Sequence, residues 1–305
     1  MTHFLVTGVS GLLGLNFALA VDGKKHQVTG VANTAPLTWA TFKNVEAELT
    51  RPGVIEELIN THKPEVILHC AALANVDACE NDPVLAHRVN AELPGTIAEA
   101  SRKHCVRMIH ISTDAVFDGS RGGYTEEDET NPLSVYAKTK LEGERAVLAA
   151  NADALIARVN FYGWSAAGNR SLAENFVSKL TAGAEVNGFT DILFCPMNIL
   201  DLSSLLVEVS ALDLRGIYHM VGAEAMSKYE FGRRVAEKFG FDADLIKPVS
   251  VNASGLTAAR SPNLTLKTEK LRAMLGHDLP DFAGGLQKFY DQYRRGYPEY
   301  IKSLA

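Results

Sequence analysis

Short apolar runs separated by helix-like stretches are the feature that most limits what this chain can become. His3-Phe4-Leu5-Val6-Thr7, Gln27 to Ala32, Val45 to Leu49, Glu65 to Ala71, Val106 to Ser112 and Ala154 to Val159 read as strands, with amphipathic segments between them. Strands alternating with helices indicate βαβ units and a parallel sheet. Val66-Ile67-Leu68 and Met108-Ile109-His110-Ile111 run on without polar alternation, as expected of strands covered by helices on both faces. The pattern predicts an α/β chain built on a doubly wound parallel sheet.

After residue 163 the rhythm changes. The glycine-rich, polar stretch Gly163 to Arg170 is followed by helical and short extended segments. Gly216-Ile217-Tyr218-His219-Met220-Val221 again reads as a strand, so the chain is expected to return to the first domain around 190–222. The domain reading is residues 1–163 for the first unit and 164–305 mainly for a smaller C-terminal region that covers substrate.

The first strand runs into Thr7-Gly8-Val9-Ser10-Gly11-Leu12-Leu13-Gly14 and then into the helical Leu15 to Ala20. Glycine permits a tight turn and close backbone approach to a pyrophosphate, and a helix N-terminus offers unpaired N–H groups and partial positive charge. Strand, glycine turn and helix in that order point to a Rossmann-type dinucleotide site. The second strand ends at Val31-Ala32-Asn33-Thr34, with no acidic residue to accept bonds from an adenosine ribose 2'-hydroxyl. That favours NADP(H) over NAD(H), although no arginine follows, and Lys24 and Lys25, nearby in sequence, read more readily as solvated turn residues.

In Asn131-Pro132-Leu133-Ser134-Val135-Tyr136-Ala137-Lys138-Thr139-Lys140-Leu141-Glu142-Gly143-Glu144, the proline and the helix formers predict a helix beginning near residue 132. Tyr136 and Lys140 then share a face, being four residues apart. A phenol with a pKa near 10 exchanges protons poorly at neutral pH, and a nearby ammonium is expected to lower it. Upstream, Ile111-Ser112-Thr113-Asp114-Ala115 puts hydroxyls at the carboxyl end of a strand, where open α/β sheets bind ligands. Thr113 can there bond a substrate carbonyl beside Tyr136.

Other classes are disfavoured by composition. The net charge is −6 with scattered lysines and arginines, so no basic stripe suits nucleic acid. No apolar run approaches the roughly 18 residues of a membrane helix, and the N-terminus enters a strand without a signal peptide, so a cytoplasmic location is expected. Cys70, Cys79, Cys105 and Cys195 lack CxxC spacing, and the nine histidines lack ligand spacing, so no metal is expected.

Taken together, TGVSGLLG, HCAALANVDACENDP, VNA at 89–91, STDAVFDG, NPLSVYAKTKLEGE and ARVNFYGW resemble the extended short-chain dehydrogenase/reductase superfamily, most closely the dTDP-4-dehydrorhamnose reductase family. The ordered motifs cover residues 1 to about 165, with softer similarity at 216–231 and 260–271. The resemblance implies Thr113, Tyr136 and Lys140 as the catalytic set, Lys140 also holding the nicotinamide ribose. It implies Gly8, Ser10, Gly11, Leu12 and Gly14 at the pyrophosphate, Asn33 near the adenosine ribose, and Leu49, Cys70, Ala71, Ala72 and Asn90 about the cofactor. Asn90 reads equally as a helix residue satisfying backbone groups. Thr113, Asp114, Phe161, Asn175 and Arg260 would face substrate, with Arg233 and Arg234 as further candidates for a diphosphate, because guanidinium pairs bidentately with phosphate oxygens.

Three positions depart from the family pattern: Ala115 where it carries tyrosine, Ala137 where it carries glycine, and Phe161 where it carries tryptophan. The glutamate that the related dehydratases place after the Thr-Asp pair is also replaced by Ala115. The function implied is NADPH-dependent reduction of a keto group on a sugar nucleotide, with a small-molecule substrate as partner and a homodimer compatible with it. The alternatives are a sugar-nucleotide 4-epimerase and a non-catalytic NADP-binding regulatory subunit.

Overall fold

The computed structural model describes residues 1–23, 25–33, 37–38, 40–253 and 261–304. Six strands open the chain: β1 (Thr2–Thr7), β2 (His26–Ala32), β3 (Lys43–Glu46), β4 (Val66–His69), β5 (Arg107–Thr113) and β6 (Leu155–Val159). Seven short ones follow: β7 (Phe161–Tyr162), β8 (Val186–Phe189), β9 (Leu193–Phe194), β10 (Met197–Asn198), β11 (Gly216–Met220), β12 (Met226–Ser227) and β13 (Ile246–Val249). The main sheet has seven strands in the order β11-β6-β5-β4-β1-β2-β3, and every pairing in it is parallel. The order reverses between β1 and β4, and at such a switch point the connections leave in opposite directions and open a crevice at the carboxyl ends.

Helices α1 (Leu12–Val21), α2 (Val54–His62), α3 (Val76–Asn81), α4 (Pro83–His87), α5 (Leu93–Lys103) and α6 (Val135–Ala150) belong to the first half. Helices α7 (Leu172–Thr181), α8 (Ile199–Ser210), α9 (Lys228–Phe239), α10 (Glu269–Leu275), α11 (Phe282–Arg294) and α12 (Tyr297–Lys302) follow. Consecutive apolar strand residues are explained by two cores. Phe4, Val6, Leu68 and Ile109 face one layer with α1 and α8 residues, while Leu5, Ile67 and Met108 face the other with residues of α2 and α5. A residue facing either way meets helix, so alternation brings no benefit.

Beyond β6 the chain builds three two-stranded pairs, β7 with β10, β9 with β12 and β8 with β13. The glycine-rich segment before α7 is shaped by one buried carboxylate. Glu174 accepts from the backbone N–H groups of Ser165, Arg170 and Ser171 and from the Ser165 hydroxyl. Ser171 caps α7 in return through the amide of Glu174.

Two expected boundaries move. The third strand is Lys43–Glu46 rather than Val45 to Leu49: its ladder to β2 runs from Lys43 to Glu46 with one further bond from the Ala47 amide to the Ala32 carbonyl, and Leu49 packs beyond the strand with Ile55, Leu58 and Ile59. The Tyr136 helix starts at Val135 rather than near 132, because the hydroxyl of Ser134 caps it by accepting from the Ala137 amide. Among the described residues no helix is long and apolar enough to cross a membrane.

Candidate active site

Two adjoining cavities open at the carboxyl ends of the strands, and Thr113, Asp114, Tyr136 and Asn160 line both. The larger, about 310 Å³, is bounded by Gly8, Gly11, Leu12, Gly14, Cys70, Ala72, Lys140 and Phe161 among others. Its floor is the turn after β1. Gly8 has φ +67°, and a Cβ there would lie 2.7 Å from the Cα of Ala71. A Cβ on Gly14 would collide with the carbonyl oxygen of Gly8. Gly11 caps α1 without any side-chain hydrogen bond, and it lines the cavity with the first-turn residues Leu12, Leu13 and Gly14. Unsatisfied N–H groups at a helix start suit an anionic pyrophosphate, and the residues present therefore fit a dinucleotide.

The second cavity, about 240 Å³, is walled by apolar side chains including Val76, Leu133, Ile192, Leu193, Phe194 and Leu264, with Lys228 as its cation. Three hydroxyl and carboxyl groups meet at the junction. The Thr113 hydroxyl donates to Asp114 at 3.1 Å, accepts from the Ala115 amide at 3.2 Å, and shares a hydrogen bond with the Tyr136 hydroxyl. Asn160 donates to the other oxygen of Asp114 at 2.6 Å. Burial pushes the Asp114 carboxyl up to about 6, while its bonds from Asn160 and Thr113 act to lower it.

The Tyr136 phenol is pushed up to about 12, chiefly by burial, opposed by the Thr113 bond and reinforced by the Asp114 charge. This corrects the expectation that Lys140 draws it below its ordinary range. The Lys140 Nζ donates instead to the Ile111 carbonyl at 2.7 Å, with His110 Nε2 at 3.4 Å, and its own pKa is brought down to about 8 by burial. In the cofactor-free chain, desolvation of the phenol outweighs the attraction of an ammonium aimed at β5.

The remaining candidates divide. Ser10 lies within the glycine turn but lines neither cavity, and Ala71 abuts Gly8. Asn33 is exposed at the end of β2, Leu49 is buried in the helical layer, and Asn175 lies on the exposed side of α7; none lines either cavity. Asn90 is buried and grips Leu73, accepting from its amide and donating to its carbonyl, so it shapes the loop after β4. Arg233 pairs with Glu237 and Asp244, Arg234 with Glu224 and Glu230, and both lie outside the cavities. Arg260 falls outside the described residues.

Sequence reading missed Asn160, Arg170 and Lys228, which line the cavities. Asn160 could have been found, since it directly follows β6 and strand ends carry function in such sheets. It also missed the support beneath: Glu144 receives Ser112 Oγ at 2.5 Å and both Nε and Nη2 of Arg158, at 3.0 and 2.7 Å, all buried.

The profile of the RmlD substrate-binding domain family matches residues 1–295. The chain belongs to this family. Its relatives carry more than one role by name. The RmlD-type chain is 31% identical over 299 residues to the Probable low-salt glycan biosynthesis reductase Agl14 of Haloferax volcanii, covering 95% of this chain and 99% of that one. It is also 31% identical over 289 residues to methionine adenosyltransferase 2 subunit beta of Rattus norvegicus, covering 88% and 81%. The crystal structure of a dTDP-4-dehydrorhamnose reductase from Clostridium acetobutylicum superposes with a TM-score of 0.85 at 27% identity, covering 96% of this chain and 99% of that one. The seven-stranded parallel sheet is thus the architecture of an RmlD-family reductase.

Proposed function

We propose that this chain is an NADPH-dependent reductase of a keto group on a sugar nucleotide, of the dTDP-4-dehydrorhamnose reductase kind. The observation that carries the reading is the place of Tyr136 and Thr113, on the wall shared by the cavity over the glycine turn and the apolar cavity beside it. A carbonyl at that junction would meet a proton donor and a hydroxyl together.

When bound, the dihydronicotinamide supplies hydride. The chain's own residues do the rest. The amides at the start of α1 take the pyrophosphate, and Gly8 and Gly14 leave it room. Tyr136, kept as a neutral phenol by burial, donates its proton to the carbonyl oxygen as charge develops there. Thr113, held by Asp114 and Asn160, orients that oxygen, and the apolar wall excludes water. Lys140, which lines the same cavity as Tyr136, would hold the nicotinamide ribose and supply positive charge to balance negative charge developing on the phenol. NADP(H) is preferred to NAD(H) because β2 ends without a carboxylate to repel a 2'-phosphate. A cytoplasmic location and a homodimer remain compatible with this role.

The test is loss of NADPH absorbance on addition of 4-keto-6-deoxy sugar nucleotides carrying dTDP, UDP or GDP. Stoichiometric consumption with one of them is expected. Conversion without net consumption would instead identify the 4-epimerase. Retained NADP(H) affinity with no turnover of any such substrate would select the other alternative, a non-catalytic NADP-binding regulatory subunit.

A further inference from the structure

Two fully buried imidazoles lie beneath Lys140. His110 on β5 has its Nε2 3.4 Å from the lysine Nζ. His69 is its register partner on β4, and the rings stack with centroids 5.2 Å apart and planes 23° apart. The Nδ1 of His69 is bonded to the Thr7 hydroxyl at 2.6 Å, and Thr7 is the last residue of β1 before the glycine turn. An ammonium has donors only, so the Nε2 of His110 can meet it only as an acceptor. The ring proton is then on Nδ1, an atom buried without a partner.

Lys140 has three N–H groups. Ile111 takes one through its carbonyl, and the cavity over the glycine turn lies before another. We propose that His110 is a positioning residue for Lys140: its Nε2 accepts the remaining N–H, while the stack on His69 and the His69–Thr7 bond hold the ring in place. The brace ties the cofactor turn to the catalytic lysine through three adjacent strands. Burial keeps both rings neutral, with His69 brought down to about 3 and His110 well below its ordinary value, as a ring that accepts from a cation must be. The other groups facing Lys140 are Tyr136 and Glu144 on α6 and Cys70 after β4, with Arg158 on β6 engaged by Glu144. Glu144 and Cys70 act to hold the ammonium charged against burial. Removing the acceptor at His110 shifts that balance toward the neutral amine.

The inference rests on the reductase reading for the meaning of the N–H that faces the cavity, but its test needs no substrate. Nitrogen-15 NMR on the unaltered chain should show His110 as the Nδ1–H tautomer, unprotonated at Nε2 at neutral pH and still so where an ordinary imidazole takes up its second proton. An Nε2–H tautomer overturns the proposal, whatever any variant does. In His110→Leu, the Nζ titration of Lys140 should move about one pH unit lower, the size expected when a charged group loses one hydrogen bond. His110→Gln, which restores an acceptor, should lie nearer the unaltered chain. A folded His110→Leu whose Lys140 titrates as before overturns the proposal, and if that variant does not fold, the tautomer decides. In the reductase assay the alkaline limb of kcat should move with the titration while KM stays unchanged. Absence of turnover in the unaltered chain would overturn the reductase reading and leave the nitrogen spectra to judge the brace.

Discussion

Burial keeps the Tyr136 hydroxyl protonated across the neutral range, which suits a group whose task is to give a proton to an oxygen that is gaining charge. Replacing it with phenylalanine removes the donor but leaves the ring that lines both cavities. We expect Tyr136→Phe to lower kcat by about 10²- to 10⁴-fold, the usual contribution of general acid catalysis, with NADPH affinity by fluorescence titration nearly unchanged. Turnover within about threefold of the unaltered chain would remove Tyr136 from the mechanism. The positions of Thr113, Tyr136 and Lys140 were legible because helix spacing and strand ends are local properties. The partners of Lys140 were not, since Ile111 and His110 face it only once β5 lies under α6. Asn175 and Leu49 show the same limit: a motif match names a residue, and the packing of its element decides whether its side chain reaches the cleft.

Among the elements, the β1–α1 turn depends most on residue size. A methyl on Gly14 would drive into the Gly8 carbonyl and the Cα of Val9, so either the turn or the start of α1 must shift. Overpacking of this kind costs about 1–3 kcal/mol, and here the displaced amides are those proposed to take the pyrophosphate. Gly14→Ala should therefore weaken NADP(H) binding by at least about tenfold in calorimetry and lower Tm by several degrees. Unchanged affinity would mean that the dinucleotide does not use this helix start. The turn was readable in advance because strand, glycines and helix follow one another without a gap. The two-residue strands of the C-terminal half were not, because pairs such as β9 with β12 join distant segments and no periodicity develops over two residues. The start of α6 was misplaced for a different reason: Pro132 suits a first helical turn, but Ser134 offers the stronger cap.

Across the molecule, three strands of the main sheet each bury one imidazole, His69 on β4, His110 on β5 and His219 on β11. His69 and His219 are brought down to about 3 and His110 well below its ordinary value, each chiefly by burial, and each is fully enclosed. In the unfolded chain these rings take protons near pH 6.5, so below that pH the unfolded state binds more protons than the folded one. Their contribution to stability is present above pH 6.5 and is lost as pH falls toward about 3. Asp114 opposes them, since its raised pKa of about 6 makes the folded state take up a proton first, a gain confined to pH below about 6. The partly buried His3, His26 and His62 are lowered and add to the loss, while the exposed His277 is raised and subtracts from it. Each buried ring gives a slope of at most about 1.4 kcal/mol per pH unit, and the raised carboxyls of Asp114 and Glu126 offset only part of what the three rings lose between about pH 6 and pH 4.5. Thermal denaturation followed by circular dichroism should show Tm nearly level from pH 8 to 7 and falling steeply over that acid window. His219→Asn retains an amide donor at the place of the Nδ1 that now bonds the Lys267 carbonyl, and it removes one titrating ring, so its curve should fall less steeply. A Tm that stays level down to pH 4.5 in the unaltered chain would mean that the three rings are solvated, and with that the brace under Lys140 would lose its neutral acceptor.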